Sequence, residues 1–513
     1  MQTVSAFFTA ATKAVVRSGM VSKVEIAWDG TTWVDETNYL ISFEYTVQIE
    51  KPGDELLPAG ETNAAMVTLR NPGRFSWRRA DKPLFAYIGG AAGMFGIKVR
   101  LWQGWTYPNV LLPELVQVFT GVIFNWEGDS QVMLHLYDAG MPYIQHKIST
   151  VIREGLRADE WIAELAYQAG ISTVRLVEDA AVAEKDQSGT IVLDPGIAPI
   201  AYAWCDDEGI VSEMMKTARA DCGRLYWDQL GRLRFENAIH WATAAHQTVV
   251  WNFTEGTYLT PSADLATGDL STRITVEWSA RVKNEEQVIY TLDKLHTILP
   301  GETISFEARF DNPVMSVVTP VNHKDYRIHG AGVDISSHIT VVLAETYAQR
   351  CVVYIHNSHT TMAAHFSFFQ LRGRPLTGGP TKQVKVAVSP SALPVGMVRE
   401  QSIRGNPYVQ TEMQAQILAD SLAGRQRALH ASYNMTGVPG VPHLEVGDRV
   451  SFTNLREFSP PTIYGYVTRI NGKVSASGFW MDLTILDASG LYDSMDIFQI
   501  GLHEIGEGRR VWY

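Results

Sequence analysis

The sequence predicts a mainly β protein with an α+β middle region and an inserted β-sandwich. Three observations carry this prediction. Residues 43–50 alternate strictly between apolar and polar side chains, as a half-buried antiparallel strand requires. Two segments between residues 149 and 264 show helical apolar spacing beside strand-like segments. In residues 408–486 an amphipathic helix precedes alternating strands, which predicts a small β-barrel.

The chain has 513 residues and a mass of 57.1 kDa, which at roughly 100 to 200 residues per domain predicts about three to five domains. Lys and Arg number 43 against 55 for Asp and Glu, so the net charge is −12. Because proteins that grip DNA need clustered cations, this balance argues against such binding. Three cysteines lack the spacing of a zinc site or a disulfide framework.

Residues 1–20 predict a short N-terminal helix rather than a signal peptide, because no basic leading region or cleavage site is evident. No run of about 20 apolar residues occurs, so we expect no membrane span in the monomer.

Residues 21–148 predict the first β-domain. Val24, Ile26 and Trp28 alternate with polar or small residues before a turn at Asp29-Gly30. Further alternating segments continue to Tyr137, which gives about six or seven strands.

Residues 149–264 predict a small α+β domain. Asp159 can cap a helix that ends at Gly170, and a second helix runs over about 211–222. The segment 225–235 predicts a hairpin that turns near Gly231.

Residues 265–282 with 384–488 predict a second β-domain, and residues 283–383 predict a β-sandwich inserted into it. The alternation of Ile274, Val276 and Trp278 matches that of the strand at Val24, which suggests that two related domains each open on such a strand. Residues 489–513 form a polar C-terminal tail.

The barrel segment holds the clearest local signals. Leu444 lies on an apolar face, Gly447 supplies the backbone freedom that a turn needs, and Asp448 can bond its own backbone. Two strands follow at 463–470 and 479–486, and Asn471-Gly472 predicts the turn that joins them.

No motif in the chain predicts catalysis. The glycine-rich segment 89–96 does not open a helix after a strand, so it predicts a loop rather than a dinucleotide site. His356, His359 and His365 are candidates for a transition metal, but no carboxylate or cysteine completes the set, and a surface turn is favoured. The acidic run 206–208 could act as acid and base or bind a cation, but helix capping is favoured. We therefore predict no catalytic residue, no cofactor and no bound metal.

Taken in order, these segments resemble the tail hub proteins of long-tailed bacteriophages, which form a ring at the tail tip. The resemblance lies in residues 118–123 with Gly121, in the hairpin with Gly231, in residues 406–410, and in residues 442–450 with Leu444, Gly447, Asp448 and Val450.

The resemblance implies two tube-like β-barrel domains per chain, so that three chains make a ring with pseudo-sixfold symmetry. It implies a homotrimer at the tail tip of the virion, made in the host cytoplasm and acting in host attachment and DNA ejection. The implied partners are the distal tail protein, the central fibre or spike protein, and the tape measure protein, with DNA only in transit. The alternative hypothesis is a tail-associated protein that degrades the cell wall or binds glycans.

Overall fold

The computed structural model describes residues 2–14, 19–49, 63–75, 82, 97–106, 112–171, 191–254, 261–264, 270–292, 297–330, 332–390, 396–426, 431–453, 462–488, 497–498 and 510–511. Within these ranges the protein is mainly β with an α+β middle region, which confirms the predicted fold class. The glycine-rich segment 89–96 lies outside the described residues, as does most of the predicted tail. No helix in the described ranges has the length and apolar content to cross a bilayer.

The N-terminal unit is a short helix followed by seven strands. Helix α1 covers Ala6–Lys13, and Ser5 caps its first turn by accepting a hydrogen bond from the Phe8 N–H. The strands are β1 (Met20–Ala27), β2 (Val34–Asp35), β3 (Leu40–Gln48), β4 (Ala64–Arg70), β5 (Lys98–Trp105), β6 (Glu114–Glu127) and β7 (Gln131–Asp138). Strand β3 buries Phe43, Tyr45 and Val47 on one face, because its apolar residues recur with the period of two that a strand requires.

The middle unit combines two helices with short strands. Its elements are β8 (Lys147–Ile148), β9 (Arg153–Arg157), α2 (Ala158–Gln168), β10 (Ile191–Leu193), β11 (Pro199–Ala203), β12 (Glu208–Gly209), α3 (Ile210–Ala220), β13 (Arg224–Trp227) and β14 (Leu233–Glu236). The predicted caps are wrong in detail. Asp159 lies inside α2 and accepts a hydrogen bond from the Gly196 N–H, while Gly209 occupies the N-cap of α3.

The next segment holds three short strands and the insert. The strands are β15 (Trp251–Phe253), β16 (Ser262–Asp264) and β17 (Arg273–Trp278). The insert contains β18 (Arg281–Lys283), β19 (Gln287–Thr291), β20 (Thr297–Ile298), β21 (Thr303–Arg309), β22 (Val314–Val318), β23 (Tyr326–Gly330), β24 (Val333–Asp334), β25 (Ile339–Ala344), β26 (Arg350–Asn357) and β27 (Ala364–Gly378).

The C-terminal elements follow the insert. They are β28 (Lys382–Ala387), β29 (Glu400–Ile403), α4 (Glu412–Arg425), β30 (Ser432–Pro439), β31 (Arg449–Thr453), β32 (Thr462–Ser475), β33 (Gly478–Asp487), β34 (Ile497–Phe498) and β35 (Arg510–Val511). We call β15, β16 and β30–β33 together the C-terminal β-unit.

One sheet of thirteen strands runs through both β-units. Its order is β16-β30-β33-β32-β3-β4-β7-β6-β5-β1-β2, and β31 and β15 branch from β32. The apolar residues of both units, such as Leu134 and Ile485, belong to one buried cluster under this sheet. The strands that the sequence assigned to two barrels are therefore hydrogen-bonded into one surface.

A second core lies beside this sheet and joins the middle unit to α4. The three-stranded sheet β28-β17-β29 contributes Ile274 and Val276, and α4 contributes Ala415, Leu418 and Leu422. Helix α4 was predicted to be amphipathic, but it is buried on nearly every side because the three-stranded sheet and the middle unit both cover it.

The insert has its own hydrophobic core, and it is connected to the rest of the protein through one pair of neighbouring strands. Strand β18 pairs antiparallel with the end of β27, so that Lys283 lies opposite Leu376. The insert also contacts the middle unit, where Ala348 N donates to Thr150 O at 2.8 Å. Its first and last strands are antiparallel neighbours, and its buried residues form a separate cluster. The insert is therefore a separate folded unit.

Replacing residues 284–375 with an Asn-Gly turn should leave the remaining chain folded, since that turn closes the antiparallel pair that already exists. Circular dichroism and calorimetry should show one cooperative unfolding transition. The control replaces residues 284–386 with the same turn, which also removes β28 and should lower the melting temperature. An aggregated first variant would contradict the prediction.

Candidate functional site

The two β-units have the same topology. In the N-terminal unit, β3 to β7 stand in the sheet as β3-β4-β7-β6-β5. In the C-terminal β-unit, β16 and β30 to β33 stand as β16-β30-β33-β32-β31. Chain order and sheet order match, and every neighbouring pair is antiparallel. The chain therefore contains an internal duplication.

The duplication extends to single residues. Strand β6 has its bulge at Phe124 and strand β32 has its bulge at Thr468. Aligning the two bulges matches Gly121 with Gly465 and Asp138 with Asp487, and these residues pair within each unit as Gly121 with Asp138 and Gly465 with Asp487. A Cβ on Gly121 would collide with the carbonyl oxygen of Tyr137, and a Cβ on Gly465 would collide with that of Leu486. Tyr137 and Leu486 are themselves equivalent, so both units use glycine for the same close approach of two strands.

Val450 belongs to the same equivalence. It pairs with Gly465 as Val99 pairs with Gly121, and both valines are fully buried. The predicted equivalence of the strands at Val24 and Ile274 is wrong. Strand β17, which holds Ile274, lies outside the thirteen-stranded sheet, and β15 is the strand that stands next to β31. A short alternating match could not distinguish these two positions.

The two units meet at a seam, which we define as the antiparallel pairing of β3 with β32. Residues 43–48 lie opposite residues 469–474, and Ile49 N donates to Thr468 O at 2.9 Å. Tyr45 is opposite Gly472, and a Cβ on Gly472 would overlap the tyrosine ring. Glycine is needed there because the buried Tyr45 ring occupies the space above it.

The predicted turn at Asn471-Gly472 is wrong. Strand β32 continues through both residues to Ser475, and the chain turns at 476–477. Asn-Gly favours a turn locally, but pairing with β3 on one side and β33 on the other keeps this segment extended.

The face of the sheet opposite the core is polar around the seam. Three cross-strand rows cover it: Asn434, Thr484, Arg469 and Gln48; Asp482, Asn471 and Thr46; Trp480, Lys473, Glu44, Met66 and His135. Charges of both signs lie close together, and Lys473 Nζ is 3.8 Å from Asp482 Oδ2. The seam thus presents a mixed, nearly neutral surface.

The turn that holds Gly231 bridges the two β-units and reaches Leu444 through Gln229. Gly231, with a φ of +77°, lies in the turn between β13 and β14, where a Cβ would overlap Thr120 of β6. The carbonyl oxygen of Gln229 accepts the Thr120 hydroxyl at 3.0 Å, and Gln229 Nε2 donates to Leu444 O at 3.2 Å. One hairpin turn therefore holds both β-units.

Gly447 and Asp448 form the facing turn. Gly447, with a φ of +87°, donates its N–H to Val467 O at 2.7 Å. Asp448 Oδ2 accepts a hydrogen bond from Glu445 N at 2.8 Å, and burial raises the pKa of Asp448 to about 6. The turn fixes the start of β31 against β32.

A cavity of about 50 Å³ lies between these two turns, and ionisable side chains line it: Tyr226, Asp228, Arg234, Glu236, His240, His246, Glu445 and Asp448. Glu236 accepts the Tyr226 hydroxyl at 2.6 Å and lies 3.0 Å from Arg224 Nη2. Burial opposes ionisation of Glu236, but His240 and Arg224 outweigh it and lower the Glu236 pKa. These charges compensate one another within the middle unit, so Glu236 stays paired although it is buried.

An aromatic stack completes this bridge. Trp241 of the middle segment packs on Tyr466 of β32, with ring centroids 4.4 Å apart and planes 12° apart. The Tyr466 hydroxyl also donates to Trp241 O at 2.9 Å. Both side chains are fully buried, so the stack ties β32 to the middle unit.

The three histidines proposed as metal ligands each form hydrogen bonds with a different group. His356 Nδ1 is 2.9 Å from Thr303 Oγ1, and His365 Nδ1 is 2.9 Å from Thr297 Oγ1. His359 Nδ1 accepts two backbone N–H groups. Across the residues that the structure describes, no three His, Cys, Asp or Glu side chains are arranged to hold a metal ion.

The acidic run 206–208 holds the insert against the middle unit. Asp206 Oδ1 lies 3.2 Å from Ser149 Oγ and 3.7 Å from Arg350 Nε of β26. Asp207 forms an exposed ion pair with Lys147 at 3.0 Å. The favoured interpretation of this run as a helix cap is therefore wrong.

Sequence reasoning missed Gly465, Asp487 and the seam. A usable signal was present, because Gly121 and Asp138 on one hairpin repeat as Gly465 and Asp487 on another. The unequal hairpin lengths hide this repeat from a search at fixed period.

Comparisons with known proteins give matches among solved structures. No family model and no curated protein sequence matches the chain. The chain is similar to the 43 kDa tail protein of prophage MuSo2 from Shewanella oneidensis, with 9% identity, 91% of this chain and 99% of that chain covered, and a TM-score of 0.45. It is similar to a tail protein from Neisseria meningitidis, with 9% identity, coverage of 92% and 97%, and a TM-score of 0.47. It is also similar to a prophage tail protein from Listeria monocytogenes, with 8% identity, coverage of 90% and 94%, and a TM-score of 0.38.

Alanine at Gly121 or at Gly465 should destabilise the protein to a similar degree, by about 1–3 kcal/mol, because each new Cβ meets an equivalent carbonyl oxygen. Urea unfolding measures the change. The control is Gly378→Ala, where the nearest atom to the added Cβ is the flexible end of Arg281 at 3.2 Å, so the substitution should cost clearly less. A large loss at one of the two glycines alone would contradict their equivalence.

Stability should fall as pH rises from about 4 to 8. Burial raises the pKa of Asp138 and Asp448 to about 6 and that of Asp221 to about 8. A carboxyl group whose folded pKa is raised stabilises the fold fully below its unfolded pKa, and this contribution is lost as pH rises through the folded pKa. Melting temperatures at pH 5 and pH 8 should differ less for Asp448→Asn than for the wild type. Exposed Asp311→Asn serves as control, and an unchanged pH difference in Asp448→Asn would refute the assignment.

Proposed function

We propose that this chain is a structural hub of a bacteriophage tail tip, in which three copies form a ring. The ring joins the tail tube and the distal tail protein to the central fibre or spike. The observation that carries the proposal is the pair of equivalent β-units joined edge to edge in one sheet. Three chains then supply six equivalent units, which is what a threefold tip needs to meet a sixfold tube.

The seam supports this proposal because it is a template for lateral assembly. It places two equivalent units side by side with a shared apolar core on one face and a polar surface on the other. Repeating the same contact around an axis would extend the sheet until it closes, and closure removes exposed strand edges.

We assign the polar face at the seam to the lumen of the ring. Its charges are balanced, and the chain as a whole carries a net charge of −12. Such a wall would let the tape measure protein and DNA pass without holding phosphate groups. The insert would then lie at the periphery, since it attaches to the middle unit and to β17 and β28 rather than to the thirteen-stranded sheet.

The geometry favours a structural role over a cell-wall-degrading one. The acidic run 206–208, on which such a catalytic role would depend, includes Asp206 and Asp207, which contact Ser149, Arg350 and Lys147. The protein would therefore act within the virion by positioning its neighbours during host attachment and DNA ejection.

Native mass spectrometry and averaged electron micrographs of the purified chain test the proposal. At high protein concentration we expect a mass three times that of the 57.1 kDa chain and a threefold ring with a central opening. A monomer at every concentration, or a ring of another symmetry, would overturn it.

A further inference from the structure

Strand β16 holds in the C-terminal β-unit the place that β3 holds in the N-terminal unit. Strand β3 bonds β4 through one edge and β32 through the other. Strand β16 bonds β30 through one edge, and its other edge pairs with no strand in the described ranges. Ser262, Ala263 and Asp264 are all exposed. An exposed strand edge of this kind is a template for another strand.

The duplication also fixes a register for β16. Thr46 lies opposite Ala64, and Asp264 lies opposite Ser432, at equivalent positions of β4 and β30. Asp264 therefore corresponds to Thr46. In the seam Thr46 lies opposite Asn471 of β32.

The bulges complete the correspondence. Asn471 lies three residues after the bulge at Thr468, and Glu127 lies three residues after the bulge at Phe124. Glu127, at the end of β6, is therefore the equivalent of Asn471. The partner that the duplication assigns to Asp264 is Glu127.

We infer that β16 of one copy pairs with the end of β6 of a second copy, with Asp264 opposite Glu127. This inference rests on the proposed ring and names the surfaces through which the ring closes. The second copy is the occupant because the contact repeats, strand for strand and in the same register, the seam inside each chain.

The charges make the two contacts unequal. Inside the chain Glu44 lies opposite Lys473, an attractive pair. The contact between copies brings two carboxylates together, and the Glu127 carboxylate already lies 3.1 Å from His135 Nε2. Like charges directly opposite weaken strand pairing. The contact between copies is therefore the weaker one, so that chains fold separately and close into a ring when they are concentrated.

A charge-swap series tests the pairing. Asp264→Lys alone and Glu127→Lys alone each place opposite charges across the contact. Each should strengthen trimer formation by roughly two- to fivefold for each contact between copies. The double variant restores like charges and should return to the wild-type level. Asp311→Lys, at an exposed position in the insert, changes the net charge equally and should leave assembly unchanged. Sedimentation velocity over a concentration series measures all five proteins.

Cysteine cross-linking gives a second readout. Asp264→Cys with Glu127→Cys should give a covalent trimer on a non-reducing gel, whereas Asp264→Cys with Asp311→Cys should not. A trimer in which the single lysine variants have no effect, or in which the cysteine pair fails to cross-link, would overturn the pairing and leave the proposed hub intact. Absence of any trimer across the series would overturn both.

Discussion

The structure depends on the backbone pairing of β3 with β32. This pairing turns two β-units, which lie at opposite ends of the chain, into one sheet over one apolar core. Each hydrogen bond of such a seam contributes about 1 kcal/mol net. The close packing of Tyr45 on Gly472 makes the contact specific, because a side chain at position 472 would overlap the tyrosine ring and push the strands apart. The relative position of the two units is therefore set by strand register and by the packing of Tyr45 on Gly472 together.

The middle unit gives this arrangement a second, independent attachment. The turn at Gly231 reaches β6 on one side and Leu444 on the other, while Trp241 stacks on Tyr466. A single row of hydrogen bonds leaves the twist between two strands adjustable, over a range of about −10 to −35° in known sheets. The hydrogen bonds of Gln229 to Thr120 and Leu444 and the stack of Trp241 on Tyr466 restrict that twist, because they tie the middle unit to both β-units. A protein that must present a fixed angle to identical neighbours gains from such a restraint.

The sequence predicts local structure in this chain much better than long-range pairing. Period-two alternation places β3 and β7, and apolar spacing places the three longer helices, because these signals arise from residues that are near one another. The seam joins residues in the forties to residues near 470, and no local pattern encodes that choice. Asn471-Gly472 shows the limit most clearly, since the same dipeptide turns in a free hairpin and stays extended between two partner strands. Strand β16 escapes notice because it is three residues long and all three of its side chains are exposed. The cap predicted for the acidic run failed for a related reason, because tertiary ion pairs with Arg350 and Lys147 compete for the same carboxylates.

The seam also places a demand on the cell that makes the protein. Strand β3 emerges from the ribosome early and its partner β32 emerges near the end of translation. At about 5–20 residues per second, the roughly 400 residues between them take on the order of a minute to synthesise. Throughout that interval the nascent N-terminal unit carries half of a sheet edge, with Tyr45 beside it and Glu44 as its only charged side chain. Such an edge is a template for another strand, including β3 of another nascent chain on the same messenger RNA. The late arrival of β32 therefore makes mispairing of β3 the specific hazard in the synthesis of this protein.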